Sequence, residues 1–127
     1  MIKNQPYTIH DELRNSKFEF YLTGSRYLGG ANDNSDWDYF TQNSPGVRDF
    51  LQRLGFKHDL SGYYDDPLIV SVMCSGDVHV QLCLNVESKE RVQWTLKNNG
   101  VRFDRIPKDQ ARRIWAACLQ LYEATCD

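Results

Sequence analysis

Long apolar runs are missing from this sequence: no hydrophobic stretch approaches the roughly 20 residues needed to cross a bilayer. The opening residues, MIKNQPYTIHDE, also lack the apolar segment of a secretory signal. Both absences predict a cytosolic protein with no membrane partner. The cysteines Cys74, Cys83, Cys118 and Cys126 include no C-x-x-C pair, which argues against zinc; the first three lie in strand-like runs or on an apolar helix face and read as reduced, buried thiols, while Cys126 is uninformative. Charge of one sign is not in excess either. Fifteen Lys and Arg against 17 Asp and Glu leave a net charge of −2, so no overall field announces a nucleic-acid partner. Repeats, low-complexity tracts and linker-like segments are absent. What is present is a globular composition. Hydrophobic residues make up 41% of 127 positions, with three Trp, seven Tyr and six Phe, enough for one domain spanning 1–127 with its own core.

Local patterns predict an alternation of helices and strands. Thr8 caps a short helix with Asp11 as its capping-box partner, and Ile9 and Leu13 form its apolar face. Phe18 to Thr23 is aromatic and β-rich, so a strand is expected up to Gly24. Arg26 to Leu28 suits a helical turn, and Asp36 to Thr41 a second strand. Ser44-Pro45 predicts a helix start, with Val47, Phe50, Leu51 and Leu54 at helical spacing and Gly55 as the stop. Phe56 to Leu60 reads as a strand, followed by a loop holding Tyr63, Tyr64, Asp65 and Asp66 that suits either a lid or a turn. Leu68 to Met73 reads as a buried strand. Val78, Val80, Leu82 and Leu84 alternate with polar positions, the period of a strand with one buried face. Helices are expected over Ser88 to Asn98, closed by Asn99-Gly100, and over Lys108 to Ala124. The second carries an apolar stripe of Ala111, Ile114, Trp115, Cys118, Leu119 and Tyr122. The sum is an α/β (α+β) chain: a mixed sheet of about four or five strands, helices packed on it, and a helical C-terminus.

Chemistry concentrates in YLTGSRYLGGANDNSDWDYF, Tyr21 to Phe40. A strand ending at Gly24-Ser25 offers backbone N–H groups and a hydroxyl to an anion, and glycine permits close approach. One loop later Asp36 and Asp38 flank Trp37 and share a strand face. Two carboxylates side by side repel unless a cation lies between them. Magnesium suits such a pair, because it keeps waters and borrows ligands from substrate phosphates. Taken alone, a Gly-Ser is an ordinary turn and an Asp-x-Asp an ordinary solvated strand edge. Together and in this order they form a layout for metal-assisted phosphoryl chemistry.

Gly24-Ser25 followed by Asp36-Trp37-Asp38 resembles the signature of the DNA polymerase β-like nucleotidyltransferase superfamily. The extended TGSRYLGG and SDWDYF, the helix after Pro45 and the short length look most like small single-domain nucleotidyltransferases of bacteriophage type. The resemblance covers about Phe18 to Leu84 and implies the minimal nucleotidyltransferase fold. It also implies transfer of a nucleoside monophosphate from a nucleoside triphosphate to an acceptor hydroxyl, in the host cytoplasm if phage-encoded. Gly24 and Ser25 would hold the triphosphate, and Asp36 and Asp38 would ligate two Mg2+ ions. The acceptor (protein, RNA or small molecule) is left open, as is a protein partner.

The family places a third carboxylate on a later strand. Here that strand reads Val78-His79-Val80-Gln81-Leu82, so His79 stands where the acid is expected. Neutral histidine serves as a metal ligand or general base, but it supplies no negative charge for a second magnesium. Asp77 lies on the same face one pleat away, about 6–7 Å. His79 reads equally as a polar residue on a solvent-facing strand position. Nucleotide binding survives this departure better than catalysis, so a catalytically impaired binder of a host factor, nucleotide or nucleic acid is the alternative. Arg26 follows the turn and reads as a phosphate fork or as a solvated residue. His10 and His58 show no partner pattern and read as surface residues. Arg102, Arg105, Lys108, Arg112 and Arg113 form a basic cluster that suits a nucleic-acid backbone or, more simply, a solvated face.

Overall fold

The computed structural model of the chain describes residues 8–59, 68–102 and 104–125. The expected tyrosine-acidic loop and the end of the third expected strand, Leu60, lie outside these residues, as does Cys126. The described residues form a five-stranded mixed sheet with helices on both faces and a long C-terminal helix. The strands are β1 (Tyr21–Thr23), β2 (Trp37–Gln42), β3 (Lys57–His58), β4 (Ile69–Ser75) and β5 (Val78–Cys83), in the order β1-β2-β5-β4-β3. Only β2 and β5 run parallel; the other neighbours are antiparallel. The helices are α1 (Ile9–Arg14), α2 (Ser25–Leu28), α3 (Val47–Arg53), α4 (Val86–Asn98) and α5 (Lys108–Thr125). None of them is long and apolar enough to cross a membrane.

The alternation in β5 sets the two faces as far as Leu82; beyond it Cys83 is also fully buried, and Leu84, expected on the buried face, lies past the strand and is 60% exposed. Val78, Val80 and Leu82 are buried with Met73 of β4, against Leu13 of α1 and Val47 and Leu51 of α3. The helices of the opposite face form their own cluster of Leu28, Val92, Leu96 and Leu119, with Ile114, Trp115 and Cys118 packed beside it. Ile114, Trp115, Cys118 and Leu119 of the stripe expected of the C-terminal helix lie in that cluster. Cys83 is fully buried and Cys74 and Cys118 are half-buried; all three are free thiols.

Several boundaries differ from expectation for local reasons. The first strand starts at Tyr21, not Phe18, because the Glu19 carbonyl accepts from Thr41 Oγ1 at 2.7 Å instead of joining a ladder. Phe18 and Phe20 turn their rings toward Phe50 on α3, with centroids 5.4 and 6.3 Å away. Ser44 does not cap α3. Ser44, Pro45 and Gly46 form a turn, and Gly46 takes the N-cap position in the left-handed region at φ 86°. The expected stop at Gly55 is present: Gly55 N–H donates to the Gln52 carbonyl and Phe56 N–H to the Leu51 carbonyl, both at 3.0 Å. The apolar run from Leu68 is not buried throughout. The β4–β5 register shifts between Ile69 and Ser71, and Val70 is left 42% exposed. In α4 the cap is Asn85, whose side chain accepts from Ser88 N–H at 3.1 Å, so the helix begins before the expected Ser88. The capping box at Thr8 and Asp11 forms as expected.

Candidate functional site

The site begins where β1 ends. Gly24 has φ 71° and ψ −155°, a backbone conformation open essentially to glycine alone. Its carbonyl accepts from Tyr27 and Leu28 N–H at 3.1 and 2.9 Å, which winds Ser25 to Leu28 into the single turn of α2. The register sets Thr23 opposite Asp38, so the Asp38 carboxylate lies directly on this turn. A Cβ at Gly24 would stand 2.6 Å from Asp38 Oδ2. Glycine is therefore required here twice, once by its φ and once by the carboxylate.

On its other side Asp38 is paired with His79 across the parallel β2–β5 ladder. His79 Nδ1 lies 3.6 Å from Asp38 Oδ1, with both side chains about 30% exposed, at 31% and 29%. That separation is ion-pair range and too long for a hydrogen bond. The ladders continue the row: Thr23, Asp38, His79, Cys74 and Lys57 stand side by side across all five strands. Asp36 precedes β2 and is exposed. Trp37 N–H donates to the Asp77 carbonyl at 2.7 Å, so Asp36 and Asp77 flank the same end of the parallel pair. Among the described residues no group of three or more His, Cys, Asp or Glu is arranged to hold a metal.

Arg26, a candidate phosphate fork, is engaged with protein groups. Its Nη2 donates to the carbonyls of Asn32 at 3.1 Å and Ser35 at 2.8 Å, and its guanidinium stacks 3.9 Å above the Trp37 ring. It clamps the loop that delivers Asp36. The loop is tightened further by Asn32 N–H donating to Ser35 Oγ at 2.9 Å and Asn34 N–H to Asn32 Oδ1 at 2.8 Å. Trp37 also meets the ring of His10, 4.7 Å away, and His10 Nδ1 lies 2.8 Å from the Tyr39 hydroxyl. The expectation that His10 is a bare surface residue is corrected by these contacts. Burial pushes the Tyr39 hydroxyl pKa up from its ordinary value. His58 is exposed, as expected.

The helical side of the site holds polar residues that the sequence reading did not single out. Lys89 of α4 is 3% exposed, and its Nζ lies 5.5 Å from the Phe40 ring centroid and 4.8 Å from that of Trp115. Gln93, equally buried, donates from Nε2 to the Leu22 carbonyl at 3.0 Å. The signal was available: Lys89 and Gln93 occupy the same helical stripe as Val92 and Leu96. Beyond Ser25 a cleft of about 400 Å³ opens, lined in part by Ser25, Arg26, Trp37 and Arg102. Compared with known proteins, the chain matches no family model, no curated protein and no solved structure.

Proposed function

We propose that this chain binds a nucleoside triphosphate with magnesium and transfers its nucleoside monophosphate to an acceptor hydroxyl. The observation that carries the reading is the approach of Asp38 to the Gly24–Ser25 turn, so close that a Cβ placed on Gly24 would stand 2.6 Å from Asp38 Oδ2. A turn suited to phosphate and a carboxylate suited to its counter-ion are thereby joined in one site. The donor set fits one magnesium ion carried with the triphosphate. Asp36 and Asp38 offer carboxylate oxygens, and phosphates and water complete such a shell. It does not fit a second ion held by protein, since position 79 offers an imidazole that already faces one Asp38 oxygen. When bound, magnesium neutralises phosphate charge.

The chain's own groups supply the remaining steps. The Ser25 hydroxyl and the turn's backbone hold the phosphates. With the neutral His79 ring carrying its hydrogen on Nδ1, toward Asp38, Nε2 accepts the acceptor's hydroxyl proton. The acceptor oxygen then bonds the α-phosphorus as the bond to the bridging oxygen breaks, and pyrophosphate leaves. Transfer of an α-labelled nucleoside monophosphate onto RNA, protein or small hydroxyl acceptors tests this. Asp36→Ala abolishes transfer; an unchanged rate sinks the mechanism.

A second reading is favoured by the His79–Asp38 approach itself. With a histidine in place of the third carboxylate, the same site serves a binder of nucleotide, nucleic acid or host protein that does not turn over. His79→Asp separates the two: a large gain of transfer marks the natural chain as a binder, and a loss marks His79 as its base.

A further inference from the structure

Two glycines packed against an arginine–aspartate fork carry an inference beyond the Asp38–His79 pair. Gly29 and Gly30 have φ of 102° and 91°, which strains any other residue, and each is closely approached by the segment after α4. A Cβ on Gly29 would stand 3.0 Å from Arg102 Cζ and 3.1 Å from its Nε and Nη2. One on Gly30 would stand 3.0 Å from both Cβ and the backbone nitrogen of Asp104. The diglycine thus seats the segment between α4 and α5 against the loop that follows the Gly24–Ser25 turn. Arg102 donates from Nε to Asp104 Oδ1 at 2.9 Å and from Nη2 to Oδ2 at 3.0 Å. This bidentate pair fixes the plane of the guanidinium with one edge engaged. A guanidinium has five N–H donors, so Nη1 and the second Nη2 hydrogen stay available.

Arg102 and Arg26 both line the cleft of about 400 Å³, together with Ser25, and no acidic residue is among its described lining. Arg26 spends its Nη2 on loop carbonyls. The Arg26 face lies on Trp37 and its Nε is buried, so Arg102, with a 45% exposed side chain, is the lining cation whose free edge a ligand can reach. We infer that Arg102 is the anion-binding residue of this cleft and takes the outer phosphates of a polyphosphate whose inner end meets Ser25. The inference rests on the nucleotide-binding reading and deepens it. It assigns Arg102 a role apart from the basic residues Arg105, Arg112 and Arg113. Asp104 acts as a positioning residue, holding the fork so that less side-chain freedom is lost on binding. Both side chains are near half exposed, at 45% and 40%, and exposed pairs add little to stability, so substitutions here read binding rather than folding.

Calorimetric titration of the full chain with magnesium-ATP and, separately, with inorganic tripolyphosphate tests the assignment. Arg102→Ala is expected to weaken both by about tenfold or more, the loss of a charge-assisted bidentate contact. Arg102→Lys recovers part of the loss, and Arg105→Ala/Arg113→Ala leaves both unchanged. Melting temperatures within a degree or two of the natural chain's show that the fold is retained. If the natural chain binds tripolyphosphate through Arg102 but no nucleotide, the inference stands and the nucleotide reading fails. If Arg102→Ala binds tripolyphosphate as the natural chain does, or the natural chain does not bind it, the inference is overturned, even where magnesium-ATP still binds. Equal losses from the Arg105/Arg113 pair overturn it as well.

Discussion

On one side of the sheet, Val78, Val80 and Leu82 meet Leu13, Val47 and Leu51, and every one of these residues is buried. On the other side, the same strands present Asp38, His79 and Gln81, and the helix above them buries Lys89 and Gln93. The Oε1 atoms of Gln81 and Gln93 are buried there without a hydrogen-bond partner among the described residues. The first side keeps one buried polar residue, Thr41 beside Leu82, and its hydroxyl is paired with the Glu19 carbonyl; the second side holds several. Buried polar groups cost stability unless they are paired. A face that keeps them beside a half-exposed carboxylate and imidazole has the character of a site. The apolar side holds the scaffold that fixes the register, and the register brings Asp38 to the turn and to His79.

Substitutions that break this comparison are expected to separate stability from binding. Leu82→Ala, in the centre of the apolar side, is expected to cost about 2–5 kcal/mol of unfolding free energy. Its magnesium-dependent nucleotide affinity, read by calorimetry below the melting transition, is expected to stay within about twofold, since additivity holds for separated sites. Gly24→Ala runs the other way. The strained φ and the contact with Asp38 Oδ2 predict a cost of about 1–3 kcal/mol. Its nucleotide binding is nevertheless expected to vanish, because the turn and the carboxylate must part. If Gly24→Ala binds normally, the turn is a structural corner and the polar side loses its claim.

The smallest expected effect lies far from both. Thr8→Ala removes the capping hydroxyl of α1 and is expected to cost about 1 kcal/mol. The Thr8 hydrogen bonds also lower the Asp11 carboxyl pKa below its ordinary value. A pKa depressed in the folded chain adds stability above the unfolded value and loses it as pH falls through the folded one. The gap between the acid denaturation curves of the natural chain and Thr8→Ala is therefore expected to narrow below the carboxylate range without closing, because the bond from Asp11 N–H to Thr8 Oγ1 does not titrate. A constant gap between them at every pH contradicts the capping box as its source.

Much of the scaffold was legible because its signals are periodic or local. The alternation in β5 and the stripe of α5 are readable without knowing any partner. The Thr8 box and the Gly55 stop are set by residues within one helical turn. Features set by distant partners were not legible. His10 looked bare because Tyr39 and Trp37 are 29 and 27 positions away. Phe18 and Phe20 looked like strand because their use, against Phe50, lies on another element. Ser44-Pro45 misled because Gly46 behind it takes the left-handed conformation and delays the helix. In the site, the motif named Gly24, Ser25, Asp36 and Asp38 and left His79 between a site role and a solvent-facing position; the register sets it beside Asp38. The cleft wall formed by Arg102 depends on a contact between segments 73 positions apart, through Gly29.

The central claim is that the Gly24–Ser25 turn and its carboxylates form a nucleotide–magnesium site. It is tested most directly by calorimetric titration of the natural chain with each of four nucleoside triphosphates, with and without magnesium, against Asp36→Asn/Asp38→Asn. Binding of at least one nucleotide that requires magnesium and disappears in the double variant is the predicted result. Absence of magnesium-dependent binding for all four, or binding that the double variant retains unchanged, contradicts the account.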